Sequence, residues 1–339
     1  MIKVAILGAG GMGHVHARNV LKVGNAQVTA ICSRTLASAN RLNDSILAGK
    51  ALCFDDFDAM LEQADFDALY VCLPPFAHTG QIQKAAKARK HLFVEKPLGI
   101  DGAKANEMAA LAKKNRIVGQ MGFNMRFGGA VQKLKAMIED GSAGKPTLFH
   151  GSFQCNALHT SWWPDAKLSG GQVVEQSIHL YDLATFFLGK PTVVSGLAGN
   201  LCHKKVKGFT SDDTSAAIIG FASGAMASIT TSDCAVPTRW SHSFTVICEK
   251  VMAEFTNANN AIFTCHDGKP AEQWANRQRP KPQEMKFDTD AQLEQTKAFL
   301  HAIANGAKPS ADIAQGALTL NLVLSVIKSA RSGGKAIAL

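Results

Sequence analysis

VAILGAGGMG, residues 4–13, sets an apolar run directly before three glycines, Gly8, Gly10 and Gly13, in a G-x-G-x-x-G spacing. A helical pattern follows, so the stretch reads as the strand, turn and helix of a first βαβ unit. Each glycine then has a task. Gly8 permits the tight turn, Gly10 brings backbone close to an anion, and Gly13 lets the helix pack on the strand. A helix N-terminus attracts negative charge, and Gly11 and Met12 belong to the same phosphate-binding loop.

Working outward, the runs KVAIL, QVTAIC, ALYVCLP, HLFVEKP and RIVGQMGF alternate with amphipathic segments such as TGQIQKAAKARK and AKANEMAALAKKN. Such alternation implies βαβ units and a parallel sheet. The expected fold class is α/β, with a Rossmann dinucleotide-binding domain over residues 1–122. After GFNMRFGG the texture changes: one helix, AVQKLKAMIED, precedes strand-like PTLFHGSFQC, TVVSGLAG, TSAAIIGF, AMASITTS, HSFTVICE, VMAEFT and AIFTC. Turn-like ASG and EK segments join two pairs as antiparallel hairpins. Residues 123–339 are therefore expected to form an α+β domain with a large, mostly antiparallel open sheet. From Asp290 the chain reads as two helices, ending at Gly306 and at the pair Gly333 and Gly334.

A chain of 339 residues, 46% hydrophobic and 19% charged, suits two domains with a sizeable core. Its formal charge of +9 is scattered, and the densest clusters, HKKVK at 203 and RQRPKPQEMK at 277, lack interleaved aromatic residues. They read as solvated surface, or attraction for a phosphate-bearing cofactor, and no nucleic-acid partner is expected. Eight cysteines form no C-x-x-C pair, which suits free thiols in a reducing compartment. No signal peptide and no apolar run approaching about 18 residues is evident. The expectation is a cytoplasmic protein without a membrane partner. No metal site is expected, because histidines do not cluster with cysteines or carboxylates at ligand spacings.

Dinucleotide choice is read at the end of the second strand, in AICSRT. No acidic residue precedes Asp44, so nothing there binds a free ribose 2′-hydroxyl. Ser33 and Arg34 suit a 2′-phosphate instead. The expectation is NADP(H) in preference to NAD(H). At LFVEKP, Glu95 and Lys96 fall where a parallel strand ends, the ligand-binding edge of such sheets, and Pro97 fixes the backbone beside them, with a cis bond one option.

In SGGQVVEQSIH, residues 169–179, a continuous helix over 173–188 puts Glu175, His179 and Asp182 on one face. A carboxylate beside imidazole raises its basicity and orients it for proton transfer near neutral pH. The alternative is a core histidine satisfied by Asp182, with Glu175 merely favouring the helix N-terminus.

Taken in order, GAGGMGHVH, YVCLPPFAH, VEKP, GQMGFNMRF, SGGQVVEQSIHLYD and the closing FLHAIANG to SVIKSARSGG resemble the Gfo/Idh/MocA oxidoreductase family over nearly the whole chain. The resemblance implies hydride transfer between NAD(P) and a secondary alcohol or ketone of a cyclic sugar, inositol or related polyol. It also implies a homodimer or homotetramer packed through the open sheets. It assigns His179 as general acid/base and Lys96 as the group that holds the reacting hydroxyl. Glu175 stands where the family usually has aspartate, and Gln172 replaces a glycine. Pro74 and His78 fall on the loop lining the nicotinamide side. Further substrate-binding candidates are Asn124, Arg126, Trp162, Trp163 and Asp182, with interdomain bonds or loop anchoring as competing roles; His14 and His16 read as structural. A redox-cycling NAD-dependent glycosidase and a non-catalytic nucleotide sensor are the competing functions, the latter disfavoured by retention of Lys96 and His179.

Overall fold

The computed structural model describes residues 1–156, 160–269 and 280–339. They divide into two compact units, 1–124 with 292–320, and 125–291 with 321–339.

The first unit holds six parallel strands: β1 (Ile2–Leu7), β2 (Ala26–Cys32), β3 (Leu52–Phe54), β4 (Ala68–Val71), β5 (His91–Val94) and β6 (Gly119–Met121). Their order, β3-β2-β1-β4-β5-β6, is the doubly wound arrangement. The connection reverses direction between β1 and β4, so the turn after β1 opens at the switch point. Val4, Ile6, Val28 and Ile31 line the core with Tyr70 and Phe93, whose rings stack 4.7 Å apart. Phe299 packs edge-on against both, at 5.4 and 5.7 Å.

Phe299 comes from the helix Ala291–Asn305, which the sequence reading assigns to the second domain. Here the structure corrects the 122/123 division. That helix buries Phe299 and Leu300 in the core of the parallel sheet, and farther along the Ala311 carbonyl accepts from the Met121 N–H at 2.7 Å. Burial of apolar surface, rather than chain order, decides membership.

The second unit carries β7 (Pro146–Gln154), β8 (Pro191–Gly199), β9 (Thr214–Phe221), β10 (Met226–Ser232), β11 (Ser241–Cys248), β12 (Val251–Phe255), β13 (Asn260–Cys265), β14 (Gln283–Lys286) and β15 (Ile337–Ala338). Their order is β14-β13-β12-β11-β7-β10-β9-β8-β15. Among the described residues only β7 and β10 pair in parallel; the other pairs are antiparallel, including the expected β9–β10 and β11–β12 hairpins. Strict alternation along β9 turns Ala217 and Ile219 inward and Ile218 outward, the pattern of a sheet covered on one face. On the covered face Phe149, Phe244 and Phe255 form a stack with centroids 5.5 and 4.3 Å apart, and the helix Ile178–Leu188 packs against β7 and β10.

The helix Ile313–Arg331 is by length and composition apolar enough to cross a membrane, contrary to the sequence expectation. Its apolar side is committed to protein. Ile313 lies against Gly119, Gly316 against Met121, and Val326 against Gly196, with Leu320, Val323 and Val326 fully buried.

Candidate functional site

The turn after β1 has the shape its glycines imply. Gly8 has φ of 104°, and a Cβ there would lie 2.4 Å from the Cys72 carbonyl oxygen; one on Gly13 would lie 2.1 Å from that of Gly8. These two close approaches exclude any side chain. Gly10 and Gly11, by contrast, face open space. The helix Gly11–Val23 begins there without a side-chain cap, and its Met12 is half-buried. Leading N–H groups beside an open cradle are what a pyrophosphate requires, so the loop fits a dinucleotide.

Around this cradle the other candidates of the first unit take their places. Ser33 is half-buried and Arg34 exposed just past β2. Pro74 precedes the 3₁₀ turn Pro75–Ala77 after β4. His78 is buried, and burial pushes its imidazole down to about 4, leaving it neutral at physiological pH.

Glu95, read from the sequence as a cofactor contact, turns inward. Its Oε1 lies 2.7 Å from His16 Nε2 and its Oε2 accepts from the Lys96 N–H at 3.3 Å. His16 is fully buried between Tyr70 and Phe93, with ring centroids at 5.1 and 4.7 Å. A helix residue three positions past the fingerprint thus holds the segment that carries Lys96. Gly122 completes the arrangement, since a Cβ there would meet the Glu95 carboxylate at 2.7 Å. Lys96 itself is half-buried beyond the carboxyl end of β5, and the Lys96–Pro97 bond is cis. Asn124, half-buried, opens the 3₁₀ turn Asn124–Phe127.

In the second unit the expected helix over 173–188 is broken. It consists of Gln172–Glu175 and Ile178–Leu188. At the break the Ser177 N–H donates five residues back, to the Gln172 carbonyl at 3.0 Å, and Leu180 restarts the helix by donating to Ser177 at 2.9 Å. Glu175, His179 and Asp182 therefore do not share one continuous helical face. Each carboxylate has a different partner. Glu175 Oε2 accepts from Trp163 Nε1 at 2.9 Å. Asp182 takes a bidentate pair from Arg126, with Nε at 2.7 Å and Nη2 at 2.6 Å, and the guanidinium lies over the Phe186 ring.

Three of the substrate-binding candidates are buried and hydrogen-bonded to other protein groups. Arg126 and Asp182 are 2% and 1% exposed and satisfy each other, while Trp163, 1% exposed, spends its N–H on Glu175. Trp162 is half-buried, as is His179 in the first turn of its helix. Of the HTSWWPD stretch, His159 lies outside the described residues, as do residues 277–279 of the second basic cluster. Gln172 is buried, and its Oε1 accepts from Thr231 at 2.9 Å, so the residue that replaces a glycine has its own polar partner.

The expectation that no ligating cluster exists meets a counterexample. Cys202, Asp213 and Cys234 bring one ligand atom each within 4.8 Å of one another, and His203 Nδ1 lies 3.1 Å from Asp213 Oδ2. Spacings of eleven and twenty-one residues gave no local signal; the β8–β9 connection and the segment after β10 bring them together. Nearby, Cys155 Sγ lies 2.6 Å from Asp233 Oδ1.

Residues 2–123 match the description of an oxidoreductase family with an NAD-binding Rossmann fold, and residues 131–254 match the GFO/IDH/MocA C-terminal domain. The chain belongs to the Gfo/Idh/MocA oxidoreductase family. It is 30% identical over 242 residues to the uncharacterized oxidoreductase YrbE of Bacillus subtilis, covering 69% of this chain and 68% of that one. It is 26% identical over 335 residues to the myo-inositol 2-dehydrogenase of Thermotoga maritima, covering 97% and 96%. Among solved structures, levoglucosan dehydrogenase in complex with NADH and levoglucosan superposes with a TM-score of 0.89 at 20% identity, covering 100% of this chain and 99% of that one.

The NADP(H) preference expected from Ser33 and Arg34 is overturned by this comparison, because that solved relative holds NADH. The physical reason is that a guanidinium stacks on the adenine of either dinucleotide. An exposed arginine and a hydroxyl do not by themselves select a 2′-phosphate.

Proposed function

We propose that this oxidoreductase is an NAD(H)-dependent dehydrogenase of a cyclic polyol or sugar, inositol being the leading class. The observation that carries the reading is the open glycine cradle in the same sheet that sets Lys96 at the carboxyl end of β5. The near full-length likeness to a myo-inositol 2-dehydrogenase supports the substrate class. NAD⁺, when bound, accepts hydride at its nicotinamide. Lys96 holds the reacting hydroxyl, and His179 takes its proton, so that a secondary alcohol leaves as a ketone. Glu175, four residues before His179 and held by Trp163 Nε1, is the carboxylate assigned to assist that proton transfer.

The outer face of the nine-stranded sheet exposes Leu197, Ile218 and Met226 at 62%, 63% and 56%. Such a patch marks a surface that another molecule covers, and we propose that a second copy covers it. The eight free thiols suit the reducing cytoplasm proposed as its location.

The test is nicotinamide absorbance with NAD⁺ over inositols, pyranoses and anhydrosugars, with wild type, Lys96→Ala and His179→Ala. Each variant is expected to bind NADH and to lose about 10²-fold or more in kcat. Full turnover in either variant would reject that residue's role, and no nicotinamide reduction with any member of the panel would reject the substrate class.

A further inference from the structure

We propose that Cys202 and Cys234 form a thiol pair that a low-molecular-weight disulfide, such as glutathione disulfide, converts reversibly to an internal disulfide joining the β8–β9 connection to the segment after β10. The proposal rests on the second unit alone and stands whatever substrate the enzyme takes.

The geometry begins at Asp213. Its Oδ1 accepts from the Leu201 N–H at 2.8 Å and from Thr214 Oγ1 at 3.2 Å. Its Oδ2 accepts from the N–H groups of Cys202 and His203 at 2.8 and 2.9 Å, and from His203 Nδ1 at 3.1 Å. Burial alone would raise this carboxyl, but those donors bring it down to about 2. The carboxylate is thus a fixed anchor for residues 201–203, and it places the Cys202 and Cys234 sulfurs within 4.8 Å of each other.

Two chemistries use such a cluster, and the hydrogen bonds decide between them. A carboxylate has about four lone-pair positions, and Asp213 already receives five donors. Little remains for a metal ion. Without that oxygen only two thiols are left, too few for the four ligands of a structural zinc site. The sulfurs themselves need no third partner. The two sulfurs, no more than 4.8 Å apart, close to bonding distance by movement of their side chains and of the connection that carries Cys202.

The two thiols have unequal access. Cys202 is exposed and Cys234 half-buried. Cys202 therefore meets the reagent. Its thiolate attacks the external disulfide, forming a mixed disulfide and releasing one thiolate. Cys234 then attacks the Cys202 sulfur, its proton passing to the second departing thiolate. The two protein thiols lose two electrons and the reagent gains them, leaving two molecules of reduced thiol. The bond would tie the β8–β9 connection to the neighbour of Asp233, whose N–H donates to the Asp213 carbonyl at 2.6 Å.

The experiment treats the native full chain with glutathione disulfide and follows intact mass and peptide maps. Wild type is expected to lose about two mass units and yield a peptide linked through Cys202 and Cys234, reversed by dithiothreitol. Cys234→Ser is expected to stop at the mixed disulfide on Cys202, and Cys202→Ser to form no link. The exposed Cys265 serves as an internal control for the reagent. Glutathione on Cys265 without a Cys202–Cys234 link would overturn the proposal, as would an equally fast link in urea-unfolded protein. Stoichiometric Zn²⁺ binding that needs both thiols and prevents oxidation would replace it with a metal site.

Discussion

Replacing Asp182 by asparagine separates a structural role from a substrate-binding one. The change keeps the side-chain shape but leaves the Arg126 charge without its counter-ion. Their bonds are 2.7 and 2.6 Å, and the two side chains are 3% and 1% exposed, so water cannot replace the lost carboxylate. Breaking a buried pair from one side costs about 3–5 kcal/mol. At about 2–4 °C per kcal/mol for a unit of this size, Tm should fall by on the order of 10 °C. Thermal unfolding followed by circular dichroism is the assay. The double replacement Arg126→Met with Asp182→Leu removes both charges and should recover most of the loss, because well-packed apolar residues commonly substitute for a buried pair. An Asp182→Asn protein that melts within about 1 °C of wild type yet shows a raised KM would refute the reasoning and return Asp182 to the substrate.

Two further outcomes are expected. Because burial depresses the His78 pKa to about 4, the unfolded chain binds the extra proton below about 6.5. His78 therefore costs no stability above that pH and up to about 3 kcal/mol as pH falls to 4; Tm against pH should be flatter in His78→Gln over that window, and parallel curves would count against the burial argument. Ile218→Lys, on the outer sheet face, should shift sedimentation toward a smaller species with turnover chemistry intact, and an unchanged sedimentation coefficient would remove that face from the interface.

The parallel sheet was legible because its signal is local: a glycine turn with fixed spacing and apolar runs at regular intervals. Strands β3, β14 and β15 were not. LCF and QEMK are short edge segments whose side chains are exposed or half-buried, and IA at 337 is a two-residue strand, so none has a buried face to read. Lys96 was placed at a strand end from its motif alone. The pairing of His16 with Glu95 spans 79 residues and that of Arg126 with Asp182 spans 56; such long-range partners leave no periodicity behind. The break at Ser177 was hidden for a different reason: QVVEQSIHLYDL has unbroken helical character, and packing decides where the hydrogen-bond ladder slips. Arg34 misled because one residue type serves two dinucleotides.

The return of residues 292–320 to the first unit bears on synthesis. The ring of Phe299 closes the aromatic cluster of Tyr70 and Phe93, yet the intervening 125–291 segment belongs to the other unit. At ribosomal speeds of about 5–20 residues per second, the parallel sheet waits on the order of ten seconds or more for its last helix. Throughout that interval two aromatic rings lack their covering partner, and a chaperone that recognises exposed apolar surface has its window there.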